Sequence, residues 1–188
     1  MPSPAGHVLA GLSVAYAADQ RGVATPRFIL ACALLAAAPD LDLLVPGGHR
    51  TFTHSLLAVG LVLLAALAIT RVRSSRVDWR STIAWTLASA SHQLTDYFSV
   101  DPGSPAGLQL LWPRPGWFMS DWPLFLATER FAPLSAFAMA INAKALAREL
   151  LLLGPVLLVL WLRRRRQQRA DADADRRGDR PMTPISPA

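Results

Sequence analysis

The sequence predicts an all-α protein, a polytopic transmembrane helical bundle of about five spans with a disordered basic C-terminal tail. Three observations lead there. Of 188 residues, 52% are hydrophobic and only 17% charged, with mean hydropathy +0.29, against roughly 25% charged in soluble chains. Five apolar stretches occur at 5–18, 28–45, 55–70, 81–100 and 150–162, to be compared with the roughly 20 residues that cross about 30 Å of hydrocarbon. The net charge of +6 is concentrated at one end, because residues 163–188 hold eight Arg and four Asp and the rest of the chain carries only +2. A water-soluble enzyme and a nucleic-acid binder are both disfavoured by this distribution.

The first stretch places small residues four apart, Gly6/Ala10, Gly11/Ala15 and Ser13/Ala17, a spacing that lets helix backbones approach closely in lipid. No Lys or Arg precedes it and it contains His7, so it is expected to be retained rather than removed as a signal peptide. The second runs into APDLD, where Pro39 interrupts the helix. The third carries no charge and leads to Arg71, Arg73 and Arg76; the fifth stops at the four arginines 163–166. Those two read as spans with basic anchors. The first, second and fourth are shorter or hold polar residues, as expected of a bundle with a polar interior.

Residues 101–147 form a long Pro- and Trp-rich connection whose Trp112, Trp117 and Trp122 suit a headgroup-level belt. Within it, residues 131–141 are moderately apolar and fit an interfacial segment, a re-entrant segment or a sixth span. Beyond Arg169 there is no apolar periodicity, and disorder is expected. The chain thus divides into a membrane-embedded domain at 1–162 and a charged tail at 163–188. With five spans, Arg21 and Arg27, the group Arg71, Arg73, Arg76 and Arg80, and the arginines after 162 share one side, which the positive-inside rule makes cytoplasmic.

Chemistry must come from His and carboxylates, because Cys32 is the only cysteine. The four histidines are His7, His49, His54 and His92, accompanied by Asp40, Asp42 and Asp96. His92 and Asp96 are one helical turn apart, so imidazole and carboxylate share a face and can share one cation; a hydrogen-bonded pair joining two helices fits equally well. Asp40 and Asp42 lie in an apolar run, where an ionised carboxylate needs a partner or a cation, although a solvated turn at the bilayer surface is nearly as good an explanation. His54 and Ser55 read singly as helix-capping residues, and His7 singly as a packed histidine. Together, the seven side chains exceed the four ligands of one zinc. They fit a two-metal site, or one metal with a general base and supporting partners. Mixed N and O donors suit zinc or manganese.

The ordered motifs AGH (5–7), PDLD (39–42), GHRTFTHS (48–55), SHQLTD (91–96) and GLQLLWP (107–113), with a fainter RELLLLGP (148–155), resemble the YdjM-like family. Its members are described, largely by similarity, as LexA-binding, inner-membrane-associated metal-dependent hydrolases. Two departures stand out: Leu43 where members often carry His directly after PDxD, and a longer stretch at 97–106. The helix-borne HxxxD also weakly resembles that of the all-helical zinc-dependent phospholipase C and nuclease group. The resemblance implies a hydrolase of the bacterial inner membrane without naming its substrate.

The expectation is therefore a multi-pass, divalent-metal-dependent hydrolase with its site at the extracytoplasmic helix ends, acting on a phosphoester or lipid-linked substrate. Metal ligands are drawn from His7, Asp40, Asp42, His49, His54, His92 and Asp96. Asp42, if free of metal, is the candidate general base and Arg50 the candidate stabiliser of an anionic transition state. The alternative is a non-catalytic membrane protein in which the same cluster holds a structural metal or a hydrogen-bond network.

Overall fold

Local capping chemistry sets where the helices begin. α1 (Pro4–Ala18) starts at Ser3, whose hydroxyl accepts from the Gly6 N–H, and Pro4 fills a first-turn position where no N–H is missed. α2 (Pro26–Ala37) repeats the device with Thr25 and Pro26. The chain then tightens into a 3-10 helix at Ala38–Leu44 around Pro39. A second short 3-10 helix, Phe52–His54, leads into α3 (Leu56–Ser74), capped by Ser55. Asp78 caps α4 (Trp79–Tyr97) through Ser81, and α5 is a single helix, Ala136–Arg177. The computed structural model describes residues 1–20, 22, 24–45, 49–130 and 134–177, with five α-helices and no strand among them.

α1 packs on α2, α4 and α5, and α4 also packs on α2 and α3. Apart from Phe28, the buried apolar positions in the helices are small, among them Ala10, Ala15, Cys32, Ala33, Ala36, Ala84, Ala88, Ala138 and Ala145, while Leu34, Leu64, Ile83, Leu87, Leu151 and Val159 point outward. This inverts the water-soluble pattern. In lipid, helices gain nothing by hiding leucine from water, so close backbone approach and polar contacts hold them together. Gly11 shows how close: a Cβ there would lie 2.5 Å from the Cys32 carbonyl oxygen and 2.7 Å from the Ala36 Cβ. Gly6, Ala10, Gly11 and Ala15 are buried as the small-residue spacing predicts, but Ala17 of the third pair is exposed.

Among the described residues two helices, α3 and α5, can cross a membrane by length and composition, fewer than the five expected. α1 and α2, at 15 and 12 residues, rise only about 22 and 18 Å, and α4 carries too many polar side chains. The expected disorder of the tail is corrected for residues 163–177, which continue α5 as helix. Once the apolar stretch has nucleated the helix, each added Arg, Gln or Ala extends it at little cost. Residues 178–188 lie outside the described residues. So do 131–133, whereas 136–141 form the first turns of α5 rather than a separate span.

The bundle has two chemically different ends. At one, buried Asp19 accepts from Arg80, Arg164 and the Ala24 N–H, and Gln167 and Gln168 donate to the Gln20 and Gly22 carbonyls. At the other, both 3-10 helices meet the start of α1 and the end of α4. Here the connection after α4 folds across, through Gln109 N–H to the Arg50 carbonyl and Ser120 N–H to the Tyr97 carbonyl. All seven His and Asp candidates lie at this second end.

Candidate metal centre

Four elements each deliver part of the cluster. His7 comes from the first turns of α1, Asp40 and Asp42 from the 3-10 helix after α2, His54 from the end of the second 3-10 helix, and His92 with Asp96 from α4. All six are buried. Three imidazoles are oriented by what their Nδ1 atoms meet. His92 Nδ1 lies 2.7 Å from the Ala36 carbonyl, which can only accept. The Thr95 hydroxyl lies 2.9 Å from the His92 carbonyl and 3.0 Å from His7 Nδ1; donating to the former, it accepts from the latter. His54 Nδ1 faces Asp42 Oδ2 at 3.1 Å. In each ring the proton belongs on Nδ1, leaving an Nε2 lone pair.

Those lone pairs converge. His54 Nε2 and His92 Nε2 are 3.0 Å apart, and the His7 and His92 rings stack at 3.8 Å. Asp96 Oδ2 lies 3.2 Å from His92 Nε2 and 3.3 Å from His54 Nε2, and Asp96 Oδ1 lies 3.5 Å from His7 Nε2. Asp40 closes the ring, its oxygens 3.7 Å from His7 Nε2 and 3.8 Å from both His54 and His92 Nε2. His7 Nε2 and all four oxygens of Asp40 and Asp96 are buried without a hydrogen-bond partner. Facing lone pairs at this distance repel unless a cation or proton lies between them, and donors about 2.0–2.2 Å from one tetrahedral zinc-sized ion are themselves about 3.3–3.6 Å apart, within the 3.0–3.8 Å range of these atoms. Burial disfavours a charged His54, yet Asp40, Asp42 and Asp96 together raise it to about 10. The cluster demands positive charge.

Asp42 and His49 stand behind it. Asp42 Oδ1 accepts from His49 Nδ1 at 2.7 Å, and its Oδ2 accepts from His54 Nδ1, the Thr53 hydroxyl and the Arg50 N–H. Burial alone would raise the Asp42 carboxyl, but hydrogen bonds from His49, His54 and Thr53 hold it well below the usual carboxylate range. His49 Nε2 faces Arg130 Nη1 at 3.3 Å. Ligand atoms lie within 4.8 Å of one another in two groups, His7 with His92 and Asp96, and Asp40 with His49 and His54. Arg50 takes a left-handed backbone, φ 64°, and its guanidinium pairs with Asp101. The site is least closed on this side: the His49 and Arg50 side chains are 23% and 16% exposed, against 0–8% for the five converging groups.

Sequence inspection missed Arg130, the backing residues Thr53 and Thr95, and Glu149. Glu149 of α5 is fully buried and accepts from both the N–H and the hydroxyl of Ser3, at 2.5 Å each. Gly6 makes room, since a Cβ there would lie 2.7 Å from Glu149 Cδ. The one available signal was an acid opening an apolar stretch, in the faint RELLLLGP motif.

A family model described as YdjM inner membrane protein matches residues 1–170. Neither a curated protein nor a solved structure matches the chain.

Proposed function

Because the chain belongs to the YdjM inner membrane protein family, we propose that it is a multi-pass, divalent-metal-dependent hydrolase of the bacterial inner membrane. On this proposal its site faces the extracytoplasmic surface and takes a phosphoester or lipid-linked substrate. The carrying observation is the convergence of three Nδ1-anchored histidines on the partnerless oxygens of Asp40 and Asp96. His7, His54, His92, Asp40 and Asp96 would hold the ion, zinc or manganese by the chemistry of the donor set. When bound, such an ion polarises a scissile bond and acidifies water.

The chain's own residues do the rest. Asp42 fixes the tautomer and orientation of His54, a carboxylate behind a ligating imidazole. With four donors already on its oxygens, it suits that task better than proton abstraction. Asp40, the most exposed of the converging groups and free of hydrogen bonds, suits the general base or an exchangeable ligand. Placing the bundle with its Asp19–Arg80–Arg164 end in the cytoplasm satisfies the positive-inside rule. The short α1 and α2 would then span a locally thinned bilayer.

A second reading has its own observation: His7, His54 and His92 are fully buried, as for a closed structural ion that pins the helix ends. Turnover separates the two. Metal-replete protein in detergent micelles should hydrolyse a phosphodiester such as bis(p-nitrophenyl) phosphate or a short-chain phospholipid, lose that activity on chelation and regain it with metal. Full metal occupancy with no turnover on either substrate would leave the structural ion.

A further inference from the structure

Arg130 lies late in the connection that folds across the site. Its Nη1 lies 3.3 Å from His49 Nε2; His49 Nδ1 donates to Asp42 Oδ1, so Nε2 is left to accept from the arginine. A hydrogen-bonded chain thus runs from Arg130 through His49 and Asp42 to His54.

One guanidinium nitrogen is uncommitted. Arg130 Nη2 is buried with no hydrogen-bond partner, and among the described residues no carboxylate pairs with Arg130. The neighbouring acids are taken: Asp42 by His49, His54, Thr53 and the Arg50 N–H, and Asp101 by the Arg50 guanidinium and the Gly103 and Gly107 N–H groups. Arg50, the arginine that the motif suggests for binding an anion, is the one already neutralised. A buried guanidinium nitrogen with no partner, beside a cation-demanding cluster, has a hydrogen bond to give, and a tetrahedral oxyanion can accept it.

Resting on the hydrolase reading, we infer that Arg130 binds the phosphate group of the substrate and holds it against the Asp40 side of the cluster, while Arg50 serves as a structural tie to Asp101. The ligand chemistry is a phosphate oxyanion, supplied by a lipid headgroup or by a soluble ester.

Calorimetry on metal-replete protein in dodecyl maltoside tests this with two probes, inorganic phosphate and dihexanoyl phosphatidic acid. Arg130→Met should weaken binding of either probe about tenfold or more with metal content unchanged, and Arg130→Lys should recover part of the loss. Binding of phosphatidic acid alone assigns the source to lipid; binding of both assigns it to the shared phosphate. Equal affinity in wild type and Arg130→Met, or no binding of either probe by metal-replete wild type, overturns the inference. Wild-type protein purified without metal would instead count against the hydrolase reading beneath it.

Discussion

Gly11→Ala is the sharpest test of the packing that brings α1 to α2. The added Cβ would meet the Cys32 carbonyl oxygen at 2.5 Å and the Ala36 Cβ at 2.7 Å, roughly 0.9 and 0.7 Å inside comfortable contact. Neither neighbour can swing away, because one is backbone and the other is a methyl on the facing helix. The helices must separate, which costs about 3 kcal/mol at the upper end of overpacking and is offset by about 1 kcal/mol of helix propensity. A net loss of about 2 kcal/mol lowers the melting midpoint by roughly 4–8 °C for a chain this long. Because His7 lies one turn before Gly11, separation also draws it from Asp40, so metal content should fall with stability. Gly60→Ala is the matched control: nothing lies within 4 Å of its Cβ position in α3, so it should be neutral or stabilising by up to about 1 kcal/mol. Tryptophan-fluorescence melts of both variants in one detergent decide the matter. If Gly11→Ala melts with wild type, or Gly60→Ala falls as far, the close-approach argument is wrong.

Other expectations follow from single contacts. Glu149→Ala strands the part-buried Ser3 N–H and should cost about 1–3 kcal/mol, with Glu149→Gln losing less because it keeps an acceptor; equal loss in both would show that the side chain matters only as bulk. Asp78→Ala removes the α4 cap and should cost about 1 kcal/mol near neutral pH. The Ser81 hydroxyl holds the Asp78 carboxyl below its ordinary 3.8, so its contribution is present above that value and lost as pH falls through the folded pKa; the gap to wild type in pH-dependent melts should therefore close below about pH 4. In intact cells, on a Cys32→Ser background, an impermeant thiol reagent should label a cysteine at Thr51 and not one at Ser74; the reverse pattern would invert the topology.

Much of the fold is legible from sequence because the apolar stretches fall on the helices and some boundaries are written in local chemistry: Ser55, readable as a cap, starts α3, and Pro39 marks the end of α2. The extent of α5 is less so, because the apolar pattern that signals a helix stops at Arg163 while the backbone continues to Arg177. At the site, His92 and Asp96 are readable as a pair from their spacing alone. Asp40 and Asp42 are not separable that way. Two residues apart in one motif, they meet different neighbours, Asp40 the three Nε2 atoms and Asp42 the far side of His54. Arg130 and Glu149 escape notice because each acts through a partner more than 80 residues away, His49 and Ser3. Such pairings are set by tertiary packing and leave no periodic trace.

Elemental analysis of protein purified without chelators shows whether the converging histidines and carboxylates bind a divalent cation. Wild type should carry a transition metal in near-stoichiometric amount, and His92→Ala, Asp96→Ala and their combination with His7→Ala should carry progressively less while remaining folded by circular dichroism. Wild-type protein free of metal even after incubation with zinc or manganese, or variants that retain the full wild-type content, would mean that these side chains hold no ion.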